Sequence, residues 1–291
     1  MRNKNTLPWV LLGLISLIWG SSFILIKKGL LVFNAPELGT LRIFMASLVL
    51  LPFGIQAIKR IPRGKIPYIF IVGFVGSYIP AMLFAYAQTR VGSAITGVIN
   101  SFTPIFVSLF GALFFNLRMT RMSAFGIIIG FLGCIFIMLG GAHFDISGIN
   151  LYGFFILAAT IMYGINANII KSFLPEIKAL DITAVSFSLI FPICATYLFL
   201  GTAFTDKISS EPDFLMGFGY IAILGIIGTA LAMFIFNNLV KMASPVFAAS
   251  CTYIIPLVAI IWGLLDGETL NIYQYSGVVI VLVGVYLANR K

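Results

Sequence analysis

The chain has 291 residues, 60% of them apolar and only 9% charged, against about 25% charged in a typical soluble domain. That balance leaves too little polar surface for a soluble globule, and so excludes a soluble enzyme. The formal net charge of +9 would suit a polyanionic partner or a membrane, and its distribution along the chain decides between them.

Taken in chain order, ten apolar stretches approach or exceed the roughly 20 residues that cross a bilayer. The first, Trp9–Ile26, follows Arg2 and Lys4 as a signal peptide would. It is long, however, ends in Lys27-Lys28 and lacks a small-x-small cleavage pattern, so it reads as a retained helix. The next four are Pro36–Ala57, Ile66–Ala87, Gly92–Phe115 and Met122–Gly140. The last five are Leu151–Ile170, Asp181–Phe204, Phe214–Leu239, Pro245–Leu265 and Ile272–Ala288. None alternates with a period of two, which argues against a β-barrel. The longest segment between spans, residues 205–213, is charged and expected to be solvated. Cys134, Cys194 and Cys251 fall within spans, at no metal-binding or disulfide spacing, and read as packing residues.

With the N-terminus inside, the inner segments carry Arg2, Lys4, Lys59, Arg60, Arg63, Lys65, Arg118, Arg121, Lys171, Lys178, Lys241, Arg290 and Lys291. The outer segments carry only Lys27, Lys28, Arg90 and Lys207. This positive-inside bias places both termini in the cytoplasm and explains the basic charge by orientation, without nucleic acid.

The sequence also repeats itself. Trp19, Gly20 and Lys27 return as Tyr163, Gly164 and Lys171, shifted by 144. Gly73, Gly76, Pro104 and Gly111 return as Gly225, Gly228, Pro256 and Gly263, shifted by 152, and Gly126 and Gly133 as Gly277 and Gly284, shifted by 151. The predicted architecture is therefore all-α and polytopic, with ten transmembrane helices in two tandem units: residues 1–141, a connection 142–150 containing His143 and Asp145, and residues 151–291. Five spans per unit is odd, so the second unit is inverted relative to the first, the arrangement that underlies alternating access.

Several short motifs resemble the EamA family of the drug/metabolite transporter superfamily. They are Trp19-Gly20-Ser21-Ser22-Phe23, Leu41-Arg42-Ile43-Phe44, Pro256-Leu257 and Gly267-Glu268-Thr269-Leu270. The resemblance covers nearly the whole chain. One departure is Phe115-Asn116, which stands where the repeat would place a second Gly-Glu. The resemblance implies a central cavity lined by spans 1, 3, 4, 6, 8 and 9, with spans 5 and 10 as scaffold.

Helical spacing nominates side chains for that cavity. In span 1 they are Trp19 and Ser22, beside Phe23, with repeat partners Tyr163 and Asn166; interfacial anchoring is the alternative for the two aromatics. Span 3 presents Tyr78, Met82 and Tyr86 as one stripe, and span 8 presents Phe234, Asn237 and Asn238, with packing as the alternative. Span 4 offers Thr96 and Asn100, and span 9 offers Thr252. Pro104 and Pro256 each free the carbonyl four residues back, that of Asn100 and that of Thr252, and are expected to kink their helices. Arg42 is the one cation within a span, explained by a substrate carboxylate, by snorkelling or by an ion pair with Glu37. Glu37 and Glu268 are the possible coupling carboxylates. Gly126, Gly130, Gly277 and Gly284 allow spans 5 and 10 to approach closely.

These features predict a secondary transporter in a bacterial inner membrane. Its expected partners are the bilayer and a small amphipathic solute such as an amino acid, exported through one chain that needs no second copy. There is no Gly-x-x-x-x-Gly-Lys loop for ATP, and no cofactor or metal is expected. A channel-like permease is the alternative. An intramembrane enzyme is disfavoured because the only histidine, His143, sits in a loop with no mid-span carboxylate.

Overall fold

The computed structural model describes residues 6–115, 121–141 and 151–289. Asn116, His143, Asp145 and the connection 142–150 lie outside the described residues, as do Arg2, Lys4, Arg118, Arg290 and Lys291. Among the described residues every regular element is helical. Eight stretches are long and apolar enough to cross a membrane: Leu7–Gly29, Ala35–Arg60, Arg63–Gln88, Ser93–Phe114, Gly153–Phe173, Ala179–Leu200, Phe214–Met242 and Phe247–Leu265. Two shorter apolar stretches are Ile128–Ile137 and Ile272–Gly284. The chain is thus an all-helical, multi-pass membrane protein.

The first unit begins with α1 (Leu7–Gly29) and α2 (Ala35–Ala57). Asn34 starts α2 through a capping box, accepting from the Glu37 backbone N–H while Glu37 Oε2 accepts from the Asn34 N–H. Next, α3 (Ile66–Gly73) passes through a π-turn, Phe74–Tyr78, into α4 (Ile79–Gln88). Two half-helices, α5 (Ser93–Asn100) and α6 (Thr103–Phe114), form the fourth span, and α7 (Arg121–Gly141) closes the unit. The second unit repeats the order: α8 (Gly153–Phe173), α9 (Ala179–Leu200), a short α10 (Phe204–Ser210), then α11 (Phe214–Gly225), a π-turn at Ile226–Leu231 and α12 (Ala232–Met242). It ends with α13 (Pro245–Ala249), a 3₁₀ turn at Ser250–Tyr253, α14 (Ile255–Leu265) and α15 (Ile272–Asn289).

The segment 205–213 is mostly exposed, as expected, but it is anchored at its start. Phe204 at the start of α10 is buried against Phe33, and Lys207 reaches Glu37 Oε2 and the Val32 carbonyl, both at 2.8 Å. An aromatic before a charged turn lets the turn fold back over the helix ends.

Contacts between the units come in exchanged pairs. Gly20 of α1 lies against Val258 of α14, and its repeat partner Gly164 of α8 against Phe106 of α6. Gly225 of α11 meets the Arg42 carbonyl of α2, as Gly73 of α3 meets the Ser186 carbonyl of α9. Each unit therefore inserts its helices into the same grooves of the other. Hydrocarbon supplies no hydrophobic drive for this packing, so close glycine contacts and buried hydrogen bonds carry it. The seam between α7 and α15 is very close: a Cβ on Gly284 would collide with the backbone of Gly130 and approach the Gly126 carbonyl at 2.8 Å.

Both π-turns also fall at matching positions. A π-turn inserts an extra residue and exposes backbone groups, and such turns concentrate at functional sites. The sequence marks each with glycine pairs, Gly73/Gly76 and Gly225/Gly228.

Candidate functional site

The interlocked units leave a central cleft between α1, α2, α4 and the α5–α6 break on one side and α8, α12 and the α13–α14 break on the other. Its empty space, counting the part open to the surroundings, is about 620 Å³, but the centres of water molecules fit in only about 50 Å³. A water needs roughly 10–15 Å³ by that measure, so this conformation admits a few waters and no metabolite until the helices part.

The wall is largely aromatic, with Trp19, Phe23, Phe84, Tyr163 and Phe236, and polar at Ser22, Asn100, Thr103, Asn166, Thr252 and Arg42. Trp19 Nε1 donates to the Gly228 carbonyl at 3.0 Å, using a group exposed by the second π-turn. Asn166 fits against Gly76 in the first π-turn, while Ser22, its repeat partner, lies 3.0 Å from where a Cβ of Gly228 would stand. Arg42 is 8% exposed, and its Nε donates to Thr229 Oγ1 at 2.7 Å. Thr229 in turn donates to the Leu224 carbonyl at 2.9 Å, so the π-turn orients the acceptor that holds the arginine. The Oδ1 atoms of Asn100 and Asn166 are buried without a hydrogen-bond partner among the described residues.

Pro104 and Pro256 do more than kink their helices. Each stands in the first turn of a new helix, after a break. The carbonyl expected to be free at Asn100 is taken by Thr103 Oγ1 at 2.9 Å, and Ser16 Oγ of α1 reaches the Cys251 carbonyl at 3.1 Å. The first break is therefore satisfied internally and the second is tied to α1, and Asn100, Thr103 and Thr252 line the cleft beside them.

The structure brings Trp19, Ser22, Arg42, Asn100, Tyr163, Asn166 and Thr252 to one cleft. The other nominated residues lie elsewhere. Tyr78 is buried in a separate cluster with Ile43 and Phe187. Met82 packs on Gly39 and accepts from Thr40 Oγ1 at 3.7 Å, and Tyr86 is 40% exposed beside Phe155. Thr96 turns its hydroxyl to the Gly92 carbonyl, Asn237 donates to Thr183 Oγ1, and Asn238 donates to the Phe234 carbonyl of its own helix; Phe234 is not in the wall either. In their place stand Phe84 and Phe236, themselves repeat partners. Span 3 and span 8 are largely apolar with polar residues on more than one face, so periodicity could not choose among their stripes; the 152-residue shift between two phenylalanines was the available signal.

The two possible coupling carboxylates also lie outside the cleft. Glu37 is fully buried in its pairing with Lys207. Glu268 is held just beyond the end of α14 by a turn that explains the Gly-Glu motif. Gly267 has φ +81°, and the Glu268 and Gly267 N–H groups bond the Gly263 and Leu264 carbonyls, a Schellman ending to α14. This aims Glu268 at the start of α5, where Gly92 offers no side chain to cap the helix. Glu268 Oε1 accepts from the Ser93 N–H at 2.9 Å, Ser93 Oγ at 2.7 Å and Lys27 Nζ at 2.8 Å, and Oε2 accepts from the Ala94 N–H at 3.1 Å. Asp266 pairs with Lys27 at 2.8 Å and with Lys28 at 2.5 Å. One clamp thus ties α1, α5 and α14 together. Burial of Glu268 opposes ionisation, yet the Lys27, Ala94 and Ser93 hydrogen bonds outweigh it and hold the carboxyl below its ordinary range. Hydrogen bonds from Lys27 and Lys28 lower Asp266 likewise.

Trp9 is 66% exposed and Trp262 41% exposed, whereas Trp19 lines the cleft. A ligand entering the cleft should therefore change tryptophan fluorescence through Trp19. Trp19→Phe is expected to abolish that change; an undiminished signal in the variant would place the ligand elsewhere.

The model of the EamA-like transporter family matches residues 7–139 and 150–290. The chain is 27% identical to an uncharacterized transporter of Archaeoglobus fulgidus, covering 97% of this chain and 99% of the relative. It is 25% identical to the uncharacterized inner membrane transporter YedA of Escherichia coli K12, covering 100% and 96%. It is 23% identical to a probable amino-acid metabolite efflux pump of Salmonella typhimurium, covering 94% and 92%. A solved crystal structure shares the fold with a TM-score of 0.63 at 12% identity, covering 96% of this chain and 95% of its own.

Proposed function

The chain belongs to the EamA-like transporter family, and from that premise we propose that it is a secondary transporter exporting a small amphipathic metabolite by alternating access. The observation that carries this reading is the central cleft, walled by repeat-related residues of both units and too narrow to hold solute without helix movement. Because each unit contacts the other through exchanged pairs, swapping their two conformations would reopen the cleft on the opposite side. In this reading the chain spans the bacterial inner membrane ten times, α7 and α15 supply the fifth and tenth spans, both termini are cytoplasmic, and one chain suffices. The likeness to an amino-acid metabolite efflux pump supports an amino-acid-like solute. No step calls for a catalytic residue or cofactor.

Reconstitution in liposomes tests it. Asn100→Ala and Asn166→Ala each remove a cleft amide, and each is expected to lower uptake of an identified solute at least about tenfold, the effect of one lost polar contact of about 1.4 kcal/mol. Unchanged uptake in both would sink the cleft as the transport site. Counterflow separates a carrier from a channel: unlabelled solute on the far side accelerates labelled entry only in a carrier.

A further inference from the structure

We propose that Arg42 is an anion subsite of the cleft, so that the transported solute is an amphipathic molecule bearing a carboxylate. The proposal rests on the transporter reading and adds the chemistry of its cargo.

A guanidinium remains charged under all ordinary conditions, and a charge removed from water needs a partner. Arg42 is 8% exposed in the cleft wall, and its partner Thr229 is neutral. It enters no ion pair among the described residues. The nearest acid on its own helix, Glu37, is committed to Lys207 at 2.8 Å. Snorkelling is excluded too, because a side chain reaching the interface would be exposed, and the bond to Thr229 fixes this one inward. The binding partner that completes such a site is an anion from outside the protein, and the planar fork of arginine matches a carboxylate in particular.

The rest of the cleft restricts the anion further. The unpartnered Oδ1 atoms of Asn100 and Asn166 are acceptors, suited to a donor such as an ammonium on the same solute. Aromatic walls suit an apolar body, tolerate an ammonium and disfavour a second anionic group. Arg42 has Ser186 as its repeat partner, so the cleft is charged at one end only. A symmetric fold thereby gains a polar direction, with carboxylate toward α2 and donor toward the α5–α6 break. A polyanion such as a sugar phosphate would leave charge uncompensated.

The test compares four probes on the full chain purified in detergent: L-phenylalanine, 3-phenylpropionate, L-phenylalaninamide and phenethylamine, and the same set built on the leucine side chain. Affinity is read from Trp19 fluorescence and confirmed by calorimetry. Phenylalanine or leucine is expected to bind tightest and the amine-free acid next. The amide and the amine should be weaker by at least about tenfold, the effect of losing a charge-assisted contact. Arg42→Gln should bring the acid down to the level of the amide while leaving the amide unchanged, with Arg42→Lys between. Equal or tighter binding of the amide or amine, or no binding of either acid in both series, overturns the proposal. The comparison on the unaltered protein stands even if the arginine variants do not fold. Flux in liposomes is scored separately. Acid binding without flux refutes transport and keeps the anion subsite; flux of the amines without acid binding does the reverse.

Discussion

Replacing Glu268 by alanine is expected to unfasten α1, α5 and α14 from one another and to cost about 3 kcal/mol of stability, the range for breaking a partly buried, charge-bearing network. The variant would leave Lys27 with Asp266 alone and strip the Ser93 and Ala94 N–H groups of their acceptor. Glu268→Gln keeps one acceptor oxygen, for one of the two N–H groups, and should recover part of the loss. The sign of the pH dependence follows from the lowered pKa values. A carboxylate depressed in the folded state contributes fully above its ordinary range and loses that contribution as pH falls through its folded value. Melting temperature should therefore be flat from neutral pH down to the ordinary carboxylate range and drop only below it. Glu268→Gln should weaken that acid-side drop. A stability step near neutral pH that disappears in Glu268→Gln would contradict the clamp and revive Glu268 as a coupling group.

Substituting Gly284 by leucine is the second large effect expected. A side chain there has no room to relax, because what it meets is the backbone of Gly130 and the Gly126 carbonyl, not the far end of a movable side chain. Overpacking into movable neighbours costs about 1–3 kcal/mol, and a backbone obstacle places this substitution at the top of that range or above. Gly13, with nothing within 4 Å of its Cβ position, is the control on α1 and should accept alanine without loss. Thermal unfolding in detergent compares the two. A Gly284→Leu protein as stable as the parent would show that α7 and α15 do not meet as described.

The repeat, the helical class and the apolar spans were legible in the sequence because they depend on composition and order alone. Half of the cleft was legible for a related reason: Trp19 with Tyr163 and Ser22 with Asn166 are polar or amphipathic residues at repeat-equivalent places in otherwise apolar helices, and such residues need a polar destination. Tyr78, Met82 and Tyr86 fall outside the cleft: the first two are taken up in packing, and Tyr86 is 40% exposed. A π-turn at Phe74–Tyr78 also interrupts the 3.6-residue phase just where the stripe begins; the Gly73/Gly76 pair marks the place but not the extra residue.

Arg42 and Glu268 show most clearly where sequence stops. Sequence alone established one cation inside a span and one carboxylate beside a glycine, with snorkelling, local pairing, substrate contact or proton coupling open for them. Tertiary structure supplied their partners, all remote in the chain: Lys207 occupies Glu37, Thr229 holds Arg42, and Ser93 with Lys27 captures Glu268. The cost of an isolated charge in hydrocarbon depends on what lies within a few ångströms, and that is set by how helices pack rather than by their order.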